Sequence, residues 1–114
     1  MKKTTTKKGM TEKELHTKVC RLFRDHGWVV YSIPRSQHGG PGRAGFPDLI
    51  MHRNGHVMAI ELKTDTGTVK LEQHAWMDAL MNYIPVYVVR PTKDWDTGFV
   101  HAMVKMGEEE CLHT

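Results

Sequence analysis

Asn54-Gly55 lies between two apolar runs, Pro47 to His52 and Val57 to Lys63, and no other feature of the chain constrains the fold as strongly. A two-residue loop whose central residues both need positive φ links the strands of a tight hairpin, and Asn-Gly is its strongest short-range signal. With the turn on those two residues, Arg53 pairs with His56 and the numbers of every facing pair sum to 109. Asp48 then lies opposite Glu61. Facing residues share one side of the ribbon with Cβ atoms about 5 Å apart, and two carboxylates so placed repel unless something positive lies between them. The period of two puts Lys63 on that same side and turns Leu49, Met51, Ile60 and Leu62 to the other.

Two opposed carboxylates, helped by a backbone carbonyl such as that of Leu62, suit a hard divalent cation such as Mg²⁺, which also keeps several waters. The nearby ammonium suits phosphate. Metal and lysine together activate a water and neutralise charge developing on a phosphodiester. A plainer reading is open on spacing alone: Asp48 starts a strand, and Glu61 with Lys63 forms a solvated pair. That reading leaves the opposed acids unexplained.

Around the hairpin the pattern gives the order αβββαβα. Thr11-Glu12-Lys13-Glu14 fits a helix cap, and Leu15, Val19, Leu22 and Phe23 follow at helical spacing to about His26. Trp28 to Ile33 reads as a strand closed by Pro34. Arg35 to Phe46 holds four glycines, Pro41, Arg35, His38 and Arg43 without an acid, and reads as a mobile cationic loop. Lys70 to Tyr83 reads as a helix with Ala75, Trp76, Ala79, Leu80 and Tyr83 on its inner face, and Val86 to Arg90 as a buried strand. Thr92 would cap a last helix whose core face is Trp95, Phe99, Met103 and Met106.

At 114 residues the chain suits one compact domain, expected over 10–106 between a disordered basic tail, 1–9, and an acidic C-terminal tail, 107–114. The net charge of +3 is weak support for a nucleic-acid partner, because four lysines within the first eight residues account for it. Cys20 and Cys111 have no C-x-x-C partner, so neither a zinc site nor a disulfide framework is indicated. No apolar run approaches the roughly 20 residues of a membrane span, and the N-terminus lacks a signal-peptide stretch, so a cytoplasmic protein is expected.

Gly45-Phe46-Pro47-Asp48, then Glu61-Leu62-Lys63, then Gln73 on the following helix resemble the signature of the virus-type replication-repair nuclease (VRR-NUC) domain of the PD-(D/E)xK nuclease superfamily. The likeness runs from about Glu12 to Thr92 and departs at Lys70 and Leu71, where the family usually begins this helix with Ser-Pro. The resemblance implies an α/β fold with a restriction-endonuclease-like αβββαβ core, a mixed sheet flanked by helices. It also implies Asp48, Glu61 and the Leu62 carbonyl as ligands to Mg²⁺ or Mn²⁺, with Lys63 beside the attacking water. Water positioning and charge stabilisation suit Lys63 better than literal base catalysis, which would need a strongly depressed pKa.

Glu14 has two readings, as the capping-box partner of Thr11 or as the helix-one acid that the family directs toward the metal, often through water. Gln73 shares a helical side with Met77 and Leu80 and so can face the sheet, the alternative being an exposed first-turn residue. Arg35, His38, Arg43 and Lys70 are candidate DNA phosphate contacts. The resemblance implies a DNA endonuclease leaving 5′-phosphate and 3′-hydroxyl ends. With little room for base readout, a homodimer acting on Holliday junctions or other branched DNA is expected. A nickase, a flap or duplex nuclease of the same fold, and a catalytically silent binding module stay open.

Overall fold

The computed structural model describes residues 9–33 and 44–108. All of the expected basic tail but Gly9 and most of the acidic one, together with Arg35, His38 and Arg43, lie outside these residues. Helix α1 (Glu12–Asp25) leads to strand β1 (Val29–Ser32), the hairpin strands β2 (Leu49–Arg53) and β3 (His56–Leu62), helix α2 (Leu71–Leu80) and strand β4 (Val86–Val89). A π-helical turn (Pro91–Trp95) and a short helix α3 (Phe99–Met103), tightened into a 3₁₀ turn over Val104–Gly107, complete the described chain. The sheet order is β1-β2-β3-β4, antiparallel except for the β3–β4 pair, which α2 joins in parallel. This is the expected mixed sheet with flanking helices.

Asn54 and Gly55 take φ of 50° and 85°, both positive, as the twist-matched hairpin turn requires. The register follows: Arg53 faces His56 and Leu49 faces Ile60, so the facing pairs sum to 109. Side-chain alternation along β3 then separates two cores. Met58, Ile60 and Leu62 join Leu15, Val19, Cys20 and Phe23 of α1 on one face, with Val100, Met103 and Val104. Ala59 packs with Met77 and Val86 on the other, beneath α2.

Two helices differ from the sequence pattern. On α2 the buried residue is Met77, with Trp76 and Leu80 half-buried, whereas Ala75 and Ala79 are exposed and Tyr83 is 88% exposed. The ridge of Gln73, Trp76, Met77 and Leu80 fills the space above the sheet, and exposing alanine costs too little apolar area to rotate it away. The single last helix is broken at Gly98, whose φ of 85° no helical residue adopts. Met103 enters the core as expected, but the break resets the phase, so Val100 and Val104 join it in place of Phe99 and Met106, both exposed.

One glycine ties the loop before β2 to α2. Gly45 has φ of 89°, and a methyl on its α-carbon would stand 2.4 Å from the Glu72 carbonyl group and 2.7 Å from the Gln73 amide nitrogen. Both are backbone atoms that cannot swing aside. Gly45→Ala should therefore destabilise by about 2–4 kcal/mol in denaturant titrations, combining left-handed strain with overpacking. Gly98 has the same kind of φ with nothing within 4 Å, so Gly98→Ala should cost only the strain, about 1–2 kcal/mol. Equal costs at the two positions would remove the packing argument.

Candidate active site

Asp48 stands immediately before β2, anchored by the fully buried Pro47 on one side and by the Ile33 N–H donating to its carbonyl at 3.0 Å. Its Oδ2 accepts the Leu62 N–H at 2.7 Å, which continues the hairpin ladder by a side chain where the backbone pairing ends. The next amide, that of Lys63, donates the other way to Val89 at 3.0 Å. A strand residue directs its N–H and C=O to the same side, so the Leu62 carbonyl faces the Asp48 side.

Glu61 is 3% exposed. Its Oε2 accepts Gln73 Nε2 at 2.7 Å and lies 3.7 Å from Lys63 Nζ. Among the described residues its Oε1 is buried with no hydrogen-bond partner. Burial, and then the Asp48 charge, push the Glu61 carboxyl up to about 8, although Lys63 pulls the other way. Gln73 is held at both ends of its amide, because its Oε1 accepts the Lys70 N–H at 2.8 Å while Nε2 reaches Glu61. Only this orientation of the amide satisfies both neighbours.

These groups border a recess of about 360 Å³ lined by Glu12, Ala44, Gly45, Phe46, Asp48, Glu61, Lys63, Lys70, Glu72 and Gln73. Asp48, Glu61, Lys63, Gln73 and Lys70 are thus brought together. Glu14 is not. It forms the capping box, donating its N–H to Thr11 Oγ1 at 3.1 Å and accepting the Thr11 N–H at 2.8 Å, and it borders a separate recess with Asp65 and Thr92. The α1 acid at the site is Glu12, whose charge adds to the upward pressure on Glu61. Glu12 precedes Leu15 and Val19 by three and seven residues, the spacing of the buried face of α1, so the signal for it was present in the periodicity. Glu72 is the other acid that sequence reasoning passed over.

The donor chemistry fits a hard cation. A buried carboxylate oxygen without a partner, a second carboxylate across the ladder and a backbone carbonyl on the same side are oxygen ligands of the kind Mg²⁺ and Mn²⁺ take. Among the described residues no three His, Cys, Asp or Glu side chains form a ready-made cluster, so the remaining ligands would be the carbonyl and water.

The sequence model of the VRR-NUC domain matches residues 6–92. A solved structure described as a VRR_NUC domain protein superposes with a TM-score of 0.58 at 21% identity, covering 82% of this chain and 91% of that one. No curated protein matches.

Folded Glu61 keeps its proton to about pH 8, whereas the ordinary carboxyl value is 4.5. The folded state therefore binds more protons than the unfolded one between those values, and stability of chelated protein should fall as pH rises through that window. Glu61→Gln should flatten the slope of melting temperature against pH. An unchanged slope would assign the effect to another group.

Proposed function

The chain belongs to the VRR-NUC domain family, a nuclease family, and from this and the recess around Glu61 we propose that it is a Mg²⁺- or Mn²⁺-dependent DNA endonuclease. The observation that carries the reading is the unpartnered, buried Oε1 of Glu61 beside Asp48 and Lys63. A buried carboxyl oxygen that has lost water and gained no donor costs about 1–3 kcal/mol, and a chain tolerates this where a ligand supplies the missing partner.

Asp48, Glu61 and the Leu62 carbonyl would hold the cation, which when bound lowers the pKa of a coordinated water and offsets charge on the phosphate. The protein's own groups do the rest. The Leu62 N–H fixes the Asp48 carboxylate and Gln73 fixes that of Glu61, so both are oriented before substrate arrives. Lys63, 9% exposed, presents a shielded ammonium that orients the attacking water and stabilises negative charge on the phosphoryl oxygens as the bond to the leaving 3′-oxygen breaks. Products would carry 5′-phosphate and 3′-hydroxyl ends. Lys70 at the rim is placed for a phosphate contact, the role also proposed for Arg35, His38 and Arg43.

For substrate we propose branched DNA, Holliday junctions among them, cut by a homodimer whose paired sites match the symmetry of the branch. The support is that symmetry. The apolar face of α1, with Val100, Met103 and Val104, is used in the monomer core, whereas Phe99 and Met106 stay exposed for such a contact. Among the described residues no helix is long and apolar enough to cross a membrane.

Calorimetric titration with Mn²⁺ should show binding that Asp48→Asn with Glu61→Gln removes; equal binding by the two proteins refutes the metal site. Lys63→Ala should abolish cleavage and keep metal and DNA binding, since it removes charge stabilisation without deleting a ligand. Labelled four-way junction, flap, duplex and single strand, each offered with Mg²⁺ and Mn²⁺, rank the substrates. Binding without cleavage of any of them would identify a silent module. Light scattering with and without junction checks the dimer, and a monomer that still makes paired cuts overturns it.

A further inference from the structure

Side chains outside the recess fasten the turn that follows Lys63. Thr64 to Gly67 closes through the Gly67 N–H, which donates to the Thr64 carbonyl at 3.3 Å. One nitrogen of Arg90, Nη1, donates to both the Thr64 carbonyl at 2.7 Å and the Gly67 carbonyl at 2.6 Å. Two residues further on, the Thr92 N–H donates to Asp65 Oδ1 at 2.9 Å and its hydroxyl to Oδ2 at 2.7 Å. The Thr92 N–H first, then its hydroxyl, hold the Asp65 carboxyl below its usual range, with a further pull from the Arg90 charge. Arg90 is anchored in turn, since its own N–H donates to Oδ2 of the buried Asp94 at 2.7 Å. Four hydrogen bonds, two of them from a charged donor, thus join 64–67 to 90–92.

The clasp matters because of what Gly67 touches. A methyl on Gly67 would stand 3.6 Å from Lys63 Cδ and 3.0 Å from Thr64 Oγ1, so the turn lies folded against the aliphatic stem of the lysine. A free lysine samples many rotamers, and an ammonium that wanders stabilises no particular oxygen. Asp65 and Thr66 are exposed, and hydrophobic packing does not hold this turn down.

We propose that Arg90 is a positioning residue for Lys63: by gripping the Thr64 and Gly67 carbonyls it keeps the turn against the lysine stem and the ammonium beside Glu61. Its effect on rate rests on the role proposed for Lys63 in cleavage, whereas the placement of Lys63 is independent of that role.

The two parts separate in one set of experiments on the full chain. Trace acylation of metal-free protein with acetic anhydride, read lysine by lysine by mass spectrometry, reports how open Lys63 is. In Arg90→Ala, Lys63 labelling should rise severalfold while that of the exposed Lys93 and Lys105 stays level. Single-turnover cleavage should fall by roughly tenfold to a hundredfold, with DNA affinity in Ca²⁺ unchanged. Thr92→Val, which removes one bond at the surface and spares the strand, should shift labelling and rate in the same direction by less, and carries the test if Arg90→Ala does not fold. Unchanged Lys63 labelling in Thr92→Val and in folded Arg90→Ala overturns the proposal, as does an equal rise at every lysine. Selective exposure of Lys63 in a protein that cleaves no DNA, wild type included, upholds the placement and refutes the nuclease reading instead.

Discussion

Two carboxylates forced toward each other by a hairpin register organise everything else in this domain. The Asn54-Gly55 turn sets the pairing, and a slip of one residue between the two strands would put Asp48 on the face opposite to Glu61 and Lys63. The apolar half of the hairpin forbids that slip, because Leu49, Met51, Met58, Ile60 and Leu62 are all buried against α1. Burial energy thus enforces an electrostatic conflict. In a domain whose net stability is only about 5–15 kcal/mol, holding such a conflict is a substantial cost. Costs of this kind concentrate where chemistry needs them.

The conflict is managed rather than removed. Asp48 is satisfied by a backbone amide, Glu61 by an amide side chain and, more distantly, by an ammonium. The Gln73 amide that reaches Glu61 also accepts the Lys70 N–H, a donor that the helix start would otherwise leave without an intrahelical partner. The beginning of α2 and the orientation of Glu61 therefore depend on the same side chain. Gly45 seats the preceding loop against that same turn of helix, so the Gly, Asp, Glu, Lys and Gln of the motif form one contiguous body.

How much of this was legible in the sequence depended on the stiffness of each rule. The period of two is strict, so the Asp48, Glu61 and Lys63 face followed from the turn alone. Gln73 was placed correctly through its spacing to Met77 and Leu80. Glu12 and Glu14 were harder, because the capping box and the helical face each claim one acid and only the spacing to Leu15 and Val19 says which goes where. The phase of α2 was misread because alanine is apolar yet indifferent to exposure. The last helix was misread because a single left-handed glycine, invisible to a periodicity count, resets the phase. Arg90 was legible as the end of a strand and not as a clamp: its partners are backbone carbonyls, and which carbonyls turn toward a side chain is decided only by the folded chain.

The far end of the hairpin is tied down as firmly as the site. Trp28 Nε1 and Arg53 Nη1 both donate to the Val104 carbonyl, at 2.9 and 3.2 Å, and Asn54 Nδ2 donates to the Gly107 carbonyl at 2.6 Å. Gly107 itself is pressed against Arg53 and Trp28 so closely that a methyl there would meet both at 3.0 Å. The last described turn of the chain therefore acts as a latch on the tip of a lever whose other end carries Asp48 and Glu61, about 20 Å away at the rise of an extended strand. The register that sets Asp48 opposite Glu61 is thus pinned at both ends of the ribbon, by side-chain bonds to Val104 and Gly107 at the tip and by the Leu62 amide at the mouth.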